Sequence, residues 1–435
     1  MLRSIGGEGG LEQPRRIGFL DGLRGIAALQ VVGLHYVSAF LPAIALLDAS
    51  HPLRGWEALS VNSPLFLAID GYAAVYVFFL ISGAALTYAF QGRRWTIAAV
   101  SARRLIRLGL PMTVSVTFAA GLLWLMPAAH VTAGHLSGSD HWLTGIGPVR
   151  LGIAPMVKEV LLGGMLAGHT GQMFTMLPAG LATALHLSPA NESFNSPLWS
   201  LHFEFYGSLL VLGLVAARAR LGDRNHAILS ALLLVVLTAH PIGLFVIGHL
   251  LAPLIASPRW VAITRRPAMP VLGAATIGLA MMLARYRLVR VVVDPATAVG
   301  DFFQLPGRLD DLHVQSSLIA LLVLASAMMT LPMQRILLSR PCQWFGRISF
   351  SLYLIHFPIL FTVSAWVYVK TGGQGIGMLM ATVVGLAVTI PLACLFESTI
   401  DRVAIRLSHR VPRTGSWFRA PGTAAGIAPP AGTNA

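Results

Sequence analysis

Charged residues are scarce: Asp, Glu, Lys and Arg make up 11% of the 435 residues, against about 25% in a soluble globular domain. A chain of this length would need far more charge to cover its surface in water, so an ordinary soluble enzyme is excluded. Acidic residues are the rarer kind, 17 against 31 basic, for a net charge of +14. The basic stretches lack the interleaved aromatics that stack bases, so nucleic acid is not the expected partner. Cysteine occurs only as Cys342 and Cys394, in or beside apolar segments. That excludes a disulfide framework and reads as core packing. The histidines show no His-x-x-x-His spacing, so no metal site is expected. The first 23 residues have no apolar run before a small-residue cleavage site, so no cleavable signal peptide is expected. No repeat with a solenoid period is visible.

Apolar runs fill the chain instead, and 55% of the residues are hydrophobic. A helix of about 20 apolar residues crosses about 30 Å of hydrocarbon. Spans read at 24–44, 68–90, 108–128, 197–217, 226–240, 241–256, 268–284, 315–333, 347–369 and 376–397. The expected fold is an all-α polytopic membrane bundle of about ten helices. Pro241 marks a tight hairpin or a kink before the sixth span. The apolar segment 157–187 is ambiguous, since it holds Lys158, Glu159, His169 and Pro178. If it does not span and the N-terminus is cytoplasmic, 23 basic residues lie inside and eight outside. If it spans, that asymmetry collapses. The positive-inside rule therefore makes 157–187 interfacial or re-entrant and both termini cytoplasmic. Residues 1–14 read as a flexible N-terminus, 15–410 as the membrane domain, and 411–435, rich in Pro, Gly, Ala and Thr, as a disordered tail.

The first span carries Asp21, Arg24 and His35. Eleven residues at about 1.5 Å each put His35 some 16 Å beyond Arg24, on nearly the same helix face. An imidazole at that depth is either a functional group in a polar cavity or packing glue between helices. Arg104 and Arg107 stand one turn apart and could grip one anion with two guanidinium forks, or simply anchor the helix on the positive side. Glu204 is a carboxylate within an apolar helix, with Trp199 and His202 nearby, and needs a cavity or an arginine. Ser349, Tyr353 and His356 recur at helical spacing before Pro358 and could line one wet face. Ser82 and Gly83 read as small packing residues.

Five pieces in order carry a family resemblance: Leu20-Asp-Gly-Leu-Arg-Gly-Ile-Ala-Ala with His35, Phe78-Phe-Leu-Ile-Ser-Gly, Arg104-Leu-Ile-Arg107, Ser196-Pro-Leu-Trp-Ser-Leu-His-Phe-Glu-Phe-Tyr, and Gly346-Arg-Ile-Ser-Phe-Ser-Leu-Tyr-Leu-Ile-His. Over residues 15–405 the chain resembles the membrane acyltransferase-3 family. That resemblance implies transfer of an acyl group, acetyl by expectation, from cytoplasmic acyl-CoA to a hydroxyl of a sugar, cell-surface glycan or other acceptor in a bacterial inner membrane. It makes His35 the essential histidine, Arg24 its accompanying arginine, Arg104 and Arg107 the paired arginines, and Glu204 the acid after Trp-Ser-Leu. Some members carry a fused extracytoplasmic esterase-like domain; with no Gly-Asp-Ser outside the spans, a stand-alone member is expected. His202 and Phe205 stand where polar residues are more usual.

The expected mechanism has Arg104 and Arg107 holding the nucleotide phosphates of acyl-CoA, with Arg24 assisting. His35 is base or nucleophile, Asp21 and Glu204 assist electrostatically, and Trp199, Tyr353 and His356 contact substrate. The alternative class is a proton-coupled transporter or flippase, because intramembrane His and Glu also build proton relays. A non-catalytic scaffold would tolerate alanine at His35 and Glu204.

Overall fold

The computed structural model describes residues 17–413, apart from 46–62, 93–94, 172, 256, 286–289, 307–308 and 374. The flexible N-terminus expected at 1–14 and nearly all of the tail expected at 411–435 lie outside the described residues. No strand occurs among those described. Among the described residues, seven helices are long and apolar enough to cross a membrane, or eight if the bent pair Gly243–Ile255 and Pro258–Thr264 is one span. Ten such helices are not found by that measure. The difference arises at three places. The spans read at 197–217 and 226–240 form one helical run, Trp199–Val236, broken at Gly222, whose φ of 74° is left-handed. The helix Ala268–Ala284 is short, and Gly243–Ile255 reaches span length only with its bent partner.

The principal helices are α1 (Gly18–Phe40), α2 (Gly71–Phe90), α3 (Ile97–Leu125), α4 (Trp199–Val236), α5 (Gly243–Ile255), α6 (Ala268–Arg285), α7 (Asp311–Met329), α8 (Arg340–Lys370) and α9 (Ile376–Arg410). Asp70 caps α2, its carboxylate accepting from the Ala73 N–H at 2.9 Å. Pro241 lies in the tight turn between α4 and α5, so the hairpin reading of that proline holds. Within 157–187 the described helices are single turns or little more, Ile153–Lys158 running into Glu159–Gly163, and then Ala179–Ala184. None of these crosses a bilayer.

Helix α2 is the centre of one lobe, packed by α1, α4, α5 and α7; α8 is the centre of the other, packed by α1, α3 and α9. Helix α1 joins the two because its glycines admit backbone. A Cβ on Gly22 would overlap the Leu337 carbonyl, and one on Gly346 of α8 would overlap the Asp21 carbonyl. The Asp-Gly-Leu-Arg-Gly run thus brings α1 against α8 at close range. Arg24 and His35 are thereby set on the seam between the lobes.

Candidate active site

Five helices, α1, α2, α3, α4 and α8, enclose a cavity of about 330 Å³ whose polar lining includes Arg24, Arg104, Arg107, Ser82, Glu204 and Tyr353. Arg104 and Arg107 reach it from a stretch where α3 widens into a π turn, Leu105–Gly109. Single π turns inside helices concentrate at functional sites. Arg103, next to them, turns away and donates to the Val411 carbonyl, its guanidinium 4.7 Å over the Trp95 ring. Arg107 donates to Asp401 and packs 5.1 Å over Phe350. Asp401 ends a second π turn, Glu397–Asp401, in α9.

Glu204 lies five residues into α4, where its Oε1 accepts from the Ser82 hydroxyl at 2.7 Å and its carboxyl feels the fields of Arg104, Arg24 and Arg107. Three guanidiniums therefore meet two carboxyls, Glu204 and Asp401. The surplus is positive, which suits an anion. Since Asp401 and Phe350 already occupy Arg107, Arg24 and Arg104 are the arginines left to face a guest. Helix α1 begins at Gly18, so Arg24 lies about 9 Å along it.

Beyond the Tyr353 end of the cavity sits a histidine pair. His35 Nδ1 lies 2.8 Å from His356 Nε2. The ring planes differ by 3° with centroids 5.0 Å apart, so the rings meet edge to edge in one plane, as an N–H···N bond requires. His356 Nδ1 faces the Leu352 carbonyl at 3.0 Å, which can only accept. His356 Nδ1 therefore carries a hydrogen, its Nε2 accepts from His35 Nδ1–H, and His35 Nε2 is left with a free lone pair. That nitrogen can take a proton or attack a carbonyl. Trp142, with its centroid 5.6 Å away, and Phe357, edge-on at 5.2 Å, complete the box around His35.

His35 does not itself line the arginine cavity. Tyr353 and Phe78 stand between, with the Tyr353 ring 6.0 Å from His356 and 6.4 Å from Phe78. Tyr353 is held by donating to the Pro197 carbonyl, so Ser200 Oγ, 2.9 Å away, is the donor to the Tyr353 oxygen.

The remaining expected site residues fall elsewhere. Trp199 is buried edge-on against Phe79 and Phe203 and does not line the cavity. Asp21 is likewise absent from the lining, and its carbonyl is the surface on which Gly346 packs. His202 is a staple: Nδ1 meets the Met165 carbonyl and Nε2 accepts from the Met176 N–H, both at 2.9 Å, fixing the 165–176 loop to α4. Sequence reasoning assigned Ser82 to packing and passed over Asp401 and Trp142. Asp401 stands one turn past Glu397 in a basic stretch at the end of the last apolar run, which was the available signal. Trp142 had none, since it sits in an irregular loop.

The family profile of the acyltransferase domain matches residues 17–398. No curated protein and no solved structure matches the chain.

Proposed function

Given that the chain belongs to the acyltransferase-3 family of membrane proteins, we propose that it transfers an acetyl or other short acyl group from cytoplasmic acyl-CoA to a hydroxyl of a glycan, sugar or other acceptor at the membrane. The observation that carries this reading is the adjacency of an arginine-lined cavity to a histidine pair whose outer member has a free Nε2. The phosphates of the donor fit Arg104 and Arg24, with Arg107 held beside them by Asp401. The cavity is at the small end of ligand sites, about 300–1,000 Å³. It suits the thioester arm of the donor better than its whole nucleotide. Passing between Phe78 and Tyr353, the thioester reaches His35.

His35 Nε2 takes the proton of the acceptor hydroxyl as its oxygen attacks the thioester carbonyl. The carbon–sulfur bond breaks, and the thiolate leaves and is protonated. Attack by Nε2 itself, giving an acyl-histidine that the hydroxyl then cleaves, uses the same nitrogen. The reading includes both termini in the cytoplasm of a bacterial inner membrane. Ten spans follow if the run at Gly222, the bent pair and the short helix at 268–284 each contribute one. Purified His35→Ala in proteoliposomes should insert and melt like wild type while thioester turnover falls by about 10²–10⁴-fold, the usual worth of a general base. Retained turnover overturns the assignment.

A further inference from the structure

The segment between α3 and α4 folds around a second cavity, about 580 Å³, that shares no lining residue with the first. Glu159 and His169 both reach it beside Gly163. A Cβ on that glycine would stand 3.7 Å from Glu159 Cγ and 3.2 Å from His169 Cε1. Glu159 opens a third π turn, Glu159–Gly163, and its Oε2 accepts from the Phe194 N–H at 2.9 Å. Its other oxygen, Oε1, is buried with no partner in hydrogen-bond geometry, and so is His169 Nε2, while the backbones of Asn195 and Ser188 lie near the two side chains. The two residues are 8% and 2% exposed. An unsatisfied buried polar atom is costly and implies something that completes it. Burial pushes Glu159 up to about 7 and His169 down to about 4. Near neutrality the histidine is therefore an uncharged acceptor, and the carboxyl passes between donor and acceptor. A hydroxyl, which both donates and accepts, satisfies Glu159 in either state. Phe194 and Leu187 add an apolar wall, while the charged Arg150, Lys158 and Glu192 also line the cavity, Lys158 donating to the His186 carbonyl.

The walls of this cavity are tied through the chain to the surroundings of His35. It shares Pro148 and Leu151 with a smaller cavity lined by residues 144–147, and Trp142, just before them, packs on His35. From the other wall, Asn195, next to Phe194, donates to the Leu354 carbonyl at 2.9 Å, two residues before His356.

We propose that the cavity around Glu159 and His169 binds an uncharged, hydroxyl-rich ligand, and that this ligand is the acceptor or the part of it that docks before transfer. The docking role rests on the acyl-transfer reading; the binding site itself does not.

Saturation-transfer NMR on the full chain in lipid nanodiscs, with methyl glucoside as probe and glucuronate as its charged counterpart, tests this. Transfer to the glucoside is expected in wild type and in His35→Ala. It should fall at least severalfold in Glu159→Ala and in Ala154→Trp. Ala154 is an exposed position on the rim, so its tryptophan blocks the mouth without entering the core. No transfer in wild type, equal transfer in all variants, or a preference for glucuronate overturns the proposal. The two readings fail separately. If glucoside binding depends on Glu159 but His35→Ala keeps thioester turnover, the acyl-transfer reading falls and the binding site stands. If His35→Ala is dead but Glu159→Ala binds normally, only the binding site falls.

Discussion

His35 and His356 share one hydrogen bond whose direction is fixed by the Leu352 carbonyl behind them. In the proposed transfer, the positive charge left when His35 takes a proton at Nε2 is stabilised through Nδ1–H by His356, which makes His356 a positioning residue in that reading. His356→Phe keeps a ring but removes the acceptor. A hydrogen bond to a charged group is worth about 1.5–3 kcal/mol, so kcat for thioester turnover should fall by about 10- to 150-fold with KM for acetyl-CoA unchanged. Steady-state kinetics decide the matter: a rise in KM alone would assign His356 to substrate binding instead.

Arg107 and Asp401 form a pair in which the carboxylate side chain is 7% exposed and the arginine 26%. Removing one member of a fully buried pair costs about 3–5 kcal/mol. Partial exposure of the guanidinium lowers this, and Asp401→Ala should cost about 1–3 kcal/mol. In thermal melts, the double variant with Arg107→Ala should lose less than the sum of the two singles. Strict additivity would mean that the pair contributes nothing.

Gly346 is the narrowest point between α1 and α8, and Gly25 faces it from the other side, where a Cβ would stand 2.5 Å from the Gly346 nitrogen. Gly346→Ala must part the two helices that carry His35 and His356. Overpacking of this kind costs about 1–3 kcal/mol. The prediction is a lower melting temperature together with a turnover loss larger than that of Gly213→Ala, where a Cβ meets open space. Equal effects at the two positions would show that the close approach is unimportant.

Much of this arrangement was legible before any coordinates. Arg24, Arg104, Arg107 and Glu204 are conspicuous because charge within an apolar run is costly, and they do converge on one cavity. The His35–His356 bond was not legible. It joins residues 321 positions apart, and no periodicity within one helix announces a contact between two. Trp199 looked like a binding residue because aromatics serve cores and ligands alike, and only packing distinguishes them. The kinked α4 exposes a limit of counting apolar runs: Gly222 breaks the helix by one left-handed residue, so the chain reads as two spans or one according to how that residue is treated. At 159–169 the sequence showed polar residues in an apolar stretch, but nothing in it indicated that they share a cavity.

Glu159 and His169 pull stability in opposite directions with pH. The folded state holds the Glu159 proton up to about pH 7, whereas the unfolded chain releases it near the ordinary value of 4.5, so this group's contribution falls as pH rises through that interval. The His169 ring stays uncharged in the folded state down to about pH 4, whereas the unfolded ring protonates near 6.5, so its contribution rises with pH. Between about pH 4.5 and 6.5 these two slopes offset each other. Melting across that range should therefore rise more steeply with pH in Glu159→Gln than in wild type, and less steeply in His169→Gln. Parallel slopes in all three proteins would contradict the assigned burial.

Among the described residues, four π turns punctuate the helices, at 105–109, 159–163, 360–364 and 397–401. Each takes up about one residue more than the α-helical path requires, so loss of a single codon within one would close the turn into a regular helix, leaving the residues beyond it in place while re-aiming those inside it. Arg107 and Asp401 each lie inside such a turn, so a deletion there would break their pairing with no substitution of any side chain. The register of the gene in those short stretches is thus part of the chemistry, and a variant screen that samples only replacements would never see it.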